Sequence, residues 1–127
     1  MFGRSFGLLV LSAVVTLSAI SLGATYGGGN GTAEDPYQIW TAEQMNTIRA
    51  NPKDWSKSFQ LMVDIDMSAY AGTQSNTIGN STTPFTGIFE GNGKVISNLS
   101  YTTTASSNDI GLFGCIYTAT IQNLGIE

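Results

Sequence analysis

The sequence predicts an all-β chain, a solenoid of about two and a half coils with one short capping helix on its N-terminal side, and three observations predict it. Gly87-Ile88-Phe89 returns as Gly111-Leu112-Phe113, 24 positions on (111 minus 87), and Ile96-Ser97-Asn98-Leu99 returns as Ile121-Gln122-Asn123-Leu124, 25 positions on (121 minus 96). A unit of this length cannot bury its apolar face alone and stacks on copies of itself. Phe59, Leu61, Val63, Ile65 and Met67 alternate with Gln60, Met62, Asp64 and Asp66, the pattern of a strand with a core on one side. The apolar starts Phe59, Phe85 and Ile110 are separated by 26 (85 minus 59) and 25 residues (110 minus 85), which makes two coils and an incomplete third.

Taken in order, residues 1–24 have the form of an export signal. Arg4 supplies the positive start, Phe6 to Leu22 is apolar or small, and Ser21, Gly23 and Ala24 suit signal peptidase, with cleavage after Gly23 or Ala24. The run is at the short edge for a membrane span and has no basic flank after it. Residues 25–35 contain Gly27-Gly28-Gly29-Asn30-Gly31, the composition of a flexible linker. Residues 36–58 hold a short extended segment, Pro36 to Trp40, and then a helix over 41–50. Thr41 and Gln44 have capping-box spacing, Trp40 and Met45 stand at staple positions, and Ala42, Met45 and Ile48 form an apolar stripe. Asn51-Pro52 ends the helix, because proline restricts the residue before it and has no N–H to donate. This helix is read as a lid over one end of the sheet core.

Residues 59–127 form the coils. Phe59 to Met67 reads as one strand, Ser68 to Pro84 as loop with Ile78 its single large aliphatic, and Phe85 to Glu90 and Lys94 to Leu99 as short strands. Gly91-Asn92-Gly93 could close a hairpin on local grounds. Nothing like it stands at Tyr117-Thr118-Ala119 in the second copy, so it is read as a corner. Bends at Asn98 and Asn123 return Leu99 and Leu124 to the core, and the two asparagines are expected to bond to one another and to the backbone.

Composition narrows function. The chain has 127 residues, and removing residues 1–24 leaves 103 (127 minus 24) with four basic and nine acidic side chains, a net charge of 4 minus 9, or −5. So few cations argue against nucleic acid and anionic membranes as partners. Histidine is absent, which removes Ser-His-Asp and Cys-His catalysis, His-type zinc sites and the commonest general base. Cys115 is the only cysteine, so no intrachain disulfide forms, and its place after Gly111-Leu-Phe-Gly114 reads as a small buried thiol.

Asp64, Asp66, Glu90 and Asp109 are the carboxylates from which chemistry could be built. They could hold calcium, which wants six to eight oxygens, or act in pairs as acid and base of a polysaccharide hydrolase or lyase, with Lys94 the one cation of the coils. A solvated acidic face accounts for them better, so no catalytic, cofactor-binding or metal residue is assigned. Thr82-Thr83 and Thr102-Thr103-Thr104 are not spaced by one coil and form no regular array, and the sequons at Asn30, Asn80 and Asn98 are short patterns with a high chance rate.

The run Phe85-Thr-Gly-Ile-Phe-Glu-Gly-Asn-Gly-Lys-Val-Ile-Ser-Asn-Leu99, with Ile110-Gly-Leu-Phe-Gly114 and Ile121-Gln-Asn-Leu-Gly125, resembles the GLUG-motif repeat of large bacterial surface and secreted proteins. Ile39-Trp-Thr-Ala-Glu-Gln-Met45 and Leu61-Met-Val-Asp-Ile-Asp-Met67 resemble the segment that precedes the first such repeat, so the resemblance covers roughly residues 35 to 127. It implies a right-handed parallel β-helix like that of filamentous haemagglutinin, a secreted or cell-surface location and a non-catalytic structural or adhesive role, with no catalytic residues to carry over. The expected partners are further coils or another chain on the C-terminal edge, and surface polysaccharide or protein. The array is expected to continue beyond Glu127. A carbohydrate-active enzyme or polysaccharide-binding module is the alternative.

Overall fold

The computed structural model describes residues 25–72, 77–102 and 109–127; the export signal at 1–24 lies outside them. Among the described residues seven short strands and one α-helix follow in order: β1 (Tyr37–Ile39), α1 (Ala42–Ala50), β2 (Ser58–Leu61), β3 (Ile65–Asp66), β4 (Ile88–Glu90), β5 (Val95–Ser97), β6 (Thr120–Gln122) and β7 (Gly125–Ile126). One sheet has the order β1-β2-β4-β6 and the other β3-β5-β7. Every pairing between these strands is parallel.

This corrects the all-β β-helix of about two and a half coils. The structure has two small parallel sheets plus a nine-residue helix and the 3-10 turns Pro52–Asp54 and Ser68–Tyr70, a mixed α/β arrangement. Strands of two to four residues carry only part of the chain, and the helix contributes Met45 and Ile48 to the same core as Ile39, Trp55 and Phe59. Apolar spacing showed which residues turn inward, and could not show how little of the backbone between them is strand.

The 25-residue period is corrected too. Phe59 pairs with Phe89, 30 positions on (89 minus 59), and Phe89 with Ile121, 32 on (121 minus 89). Ile65 pairs with Ile96, 31 on (96 minus 65), and Ile96 with Ile126, 30 on (126 minus 96). Gly111-Leu-Phe113 therefore does not lie over Gly87-Ile-Phe89; Phe113 bridges Ile78 instead. The two motifs look alike because both place an aromatic in the core, and they occupy different places around it.

Phe59 to Met67 is not one strand either. The chain bends at residues 62–64, and β2 and β3 enter different sheets. Phe59, Leu61, Ile65 and Met67 all stay buried because the bend wraps the core. Alternation reports which way side chains face, and a chain that curves around its core preserves it. Phe85 to Glu90 and Lys94 to Leu99 do not form a hairpin: β4 pairs with β2 and β6, and β5 with β3 and β7. Gly91 to Gly93 turns the chain between sheets, with Asn92 at φ 56° and Gly93 at φ 74°.

Helix α1 starts where the sequence indicates. Thr41 is the N-cap and its hydroxyl accepts from the Gln44 N–H at 3.1 Å. The Gln44 side chain reaches back one residue further than a capping box requires and accepts from the Trp40 N–H at 2.7 Å. Trp40 does not staple onto buried Met45; it is half exposed, and its indole N–H donates to the Gln38 side chain at 3.1 Å.

Residues 25–35, linker-like in composition, pack against β1. Tyr26 is buried, its hydroxyl donates to Asp54 at 2.9 Å, and the Gly27 N–H and Gly28 carbonyl bond to Gln38. Desolvation first, then Asp54, raises the Tyr26 phenol well above its ordinary value. From here an aromatic column runs through the molecule. Tyr37 stacks over Phe59 at 5.6 Å, Phe59 over Phe89 at 6.4 Å, and Phe89 meets Phe113 edge-on at 5.4 Å.

Candidate functional site

The four carboxylates singled out from sequence lie at strand ends and in bends, each tied to backbone or side-chain amides. Asp64 accepts from the Val95 N–H at 2.9 Å. Asp66 accepts from the Ser68 N–H and from the Asn98 side chain, both at 2.9 Å. Asp109 accepts from the Ser81 N–H at 3.0 Å. Glu90 is the most engaged, with the Asn92 N–H and the Gln122 amide donating at 2.7 Å and the Asn123 amide at 3.1 and 3.2 Å. Among the described residues no group of three or more His, Cys, Asp or Glu side chains is placed to hold a metal ion.

Asn98 and Asn123 do not bond to each other. They sit at φ 55°, where asparagine is one of few residues tolerated, and each donates to a carboxylate of the preceding strand layer, Asp66 and Glu90 respectively. The bends belong to different sheets, which is why the asparagines are not neighbours. Cys115 is half buried rather than fully buried, and its backbone carbonyl accepts from Phe85. Part of the threonine-rich stretch, residues 103–108, lies outside the described residues.

The amide donors hold Glu90 below its ordinary value, Gln122 contributing most, then Asn123 and the Asn92 N–H. Asp66 is likewise lowered, by Asn98 first and then Ser68. A carboxyl whose folded pKa is depressed stabilises the fold above its unfolded pKa, and that contribution is lost as pH falls through the folded value. We expect the urea midpoint to be level above about pH 5 and to drop as the solution is acidified below it. Glu90→Gln should lower the midpoint at neutral pH and flatten its acid slope; a midpoint indifferent to pH and to this substitution would contradict the assignment.

Sequence reading missed a feature that only register reveals. Gln38, Gln60, Glu90 and Gln122 are consecutive partners across β1, β2, β4 and β6, and form a polar column on the outer face of the four-stranded sheet. Beside it Ser58, Ile88 and Thr120 form a second column. Residues 33–36 stand over this face and enclose a groove of about 450 Å³, lined among others by Glu34, Pro36, Ser58, Gln60, Ile88 and Gln122. The only local signal was a polar residue directly after an aromatic or aliphatic one in each strand.

Comparisons with known proteins find two relatives, each matched over a small part of its length. Over 96 residues the chain is 38% identical to a protein of Evansella cellulosilytica whose name calls it a Gly-rich membrane protein, an alignment covering 73% of this chain and 11% of that protein. Over 113 residues it is 38% identical to halomucin of Haloquadratum walsbyi, covering 77% of this chain and 1% of halomucin. This chain thus spans about a tenth and a hundredth of the lengths of those relatives. No family model matches, and no solved structure matches. Among the described residues no helix is long and apolar enough to cross a membrane.

Proposed function

We propose that this chain is a non-catalytic, exported module of a surface protein, structural or adhesive in role, as the likeness to GLUG-motif repeats suggests. The observation that carries the non-catalytic reading is the state of its carboxylates. Glycoside hydrolysis by a carboxyl pair needs one acid kept protonated by a raised pKa, opposite its partner across the scissile bond. Asp66 and Glu90 are shifted the other way, and the oxygens of Glu90 are filled by donors from within the chain. The names of the two relatives support a surface setting. Fractionating cells that express the full chain tests location: an envelope or extracellular product starting at Ala24 or Thr25 is expected, and an uncleaved cytoplasmic chain overturns it. Release of reducing ends or unsaturated sugars from polysaccharides, abolished by Glu90→Gln, would overturn the non-catalytic reading.

The partner is a strand-forming polypeptide on the edge made by β6 and β7. Ile116, Tyr117 and Ile126 are 52%, 65% and 51% exposed there, whereas Phe85 and Ile96, the partners of Ile116 and Ile126 in the preceding layer, are fully buried. A parallel strand with aliphatic residues opposite Ile121 and Ile126 would continue the register already made by β4 with β6 and β5 with β7. Light scattering of the isolated chain should show self-association that Ile116→Lys with Ile126→Lys removes. A chain monomeric at high concentration would strike this edge out as an interaction surface.

A further inference from the structure

We propose that the groove on the outer face of the four-stranded sheet binds an uncharged, hydroxyl-rich glycan, with Gln60 its principal hydrogen-bonding residue. The inference deepens the surface-module reading and rests on it, by giving that module a ligand class and a place to hold it.

The polar column is not uniform. Gln38 is committed to the Trp40 indole, and Glu90 to Asn92, Gln122 and Asn123. Between them the Gln60 side chain makes no hydrogen bond to any described residue, and it opens into the groove. A primary amide offers two donors and an acceptor, a set that a vicinal diol can meet on both counts. Ser58, largely buried, lines the floor of the same groove, and Ile88 and Pro36 supply apolar surface for the C–H face of a sugar ring. At about 450 Å³ the groove falls within the roughly 300–1,000 Å³ common for small-molecule sites.

The wall is built in advance. Asn30 and Gly31 donate their N–H groups to the Asp35 carbonyl at 2.9 and 3.0 Å, and the Thr32 hydroxyl donates to the Asn30 side chain at 2.7 Å. The Ser58 N–H then ties Gly31 to β2 at 2.9 Å, so the loop bearing Glu34 and Pro36 is held over the sheet before any ligand arrives. Preorganised loops lower the ordering cost of binding.

Other ligand classes fit less well. The lining includes no Lys or Arg and carries Glu34 and Glu90, which repels anions. An added peptide strand needs a sheet edge, and this is a sheet face.

Affinity electrophoresis of the full chain through gels containing neutral xyloglucan, xylan or galactomannan, against hyaluronan and polygalacturonate, decides the matter. At least one neutral glycan should retard the chain, and the acidic ones should not. Gln60→Ala should weaken that retardation about fivefold to tenfold with an unchanged melting temperature, as expected for loss of one or two hydrogen bonds. Ser97→Ala, on the other sheet, should leave it unchanged. Retardation by no neutral glycan, retention by acidic glycans alone, or full binding by Gln60→Ala would each overturn the proposal. The surface-module reading would survive any of these, because it is judged on cell fractionation.

Discussion

Phe59→Ala should come close to unfolding this protein. Its ring lies 5.5 Å from Tyr26, 5.6 Å from Tyr37 and 6.4 Å from both Phe85 and Phe89, so it joins the N-terminal loop, both neighbouring strands and the segment leading into β4. Removing a fully buried phenylalanine costs about 3–5 kcal/mol in lost transfer energy and residual cavity. A domain of this size holds about 5–15 kcal/mol in all. Tyr37 and Phe89 cannot close the gap, because each is fixed by its own strand's pairing. Phe59→Leu should cost far less, since volume is mostly kept. Chemical denaturation of the two variants checks this, and a midpoint for Phe59→Ala within experimental error of the parent would refute the column as the centre of stability.

Gly87→Ala should be nearly as damaging, although it adds a single methyl. Gly87 has no positive φ that would demand glycine. The demand comes from close approach: a Cβ at this position would collide with the Lys57 carbonyl, while the Gly87 N–H donates to the Trp55 carbonyl at 3.1 Å. Relief means moving one backbone segment off the other and breaking the bonds that start the β2–β4 pairing, at a cost of about 3 kcal/mol. Gly93→Ala is the informative contrast. No atom lies within 4 Å of a Cβ built there, so only the strain of its φ of 74° is felt, about 1 kcal/mol. Equal melting temperatures for the two variants would show that the approach of residues 57 and 87 is looser than described.

That contrast also explains why the sequence repeat misled. Gly87 and Gly111 open similar tripeptides, but Gly87 is required by contact with Lys57, whereas Gly111 has φ 135° and nothing closer to a Cβ than the Phe113 carbonyl at 3.5 Å. Two glycines selected for different reasons produced one apparent motif and a false period. The carboxylates stood out in the sequence, yet their task of holding bends together was invisible. Asp66 and Asn98 are 32 positions apart in the chain (98 minus 66), and no local pattern links them.

From the amino acids alone one could say which side chains turn inward, where α1 begins, where the backbone bends at Asn98 and Asn123, and that histidine chemistry is excluded. These are local properties: side-chain polarity, capping groups, a tolerated left-handed conformation, a missing residue type. Which strand lies on which was decided only by the tertiary structure, and with it the division into two sheets, the aromatic column, the row from Gln38 to Gln122 and the exposed edge at β6 and β7. Pairing depends on how the intervening loops, unequal in length, carry each strand around the core. Packing across the whole molecule selects among registers that local spacing leaves equally open.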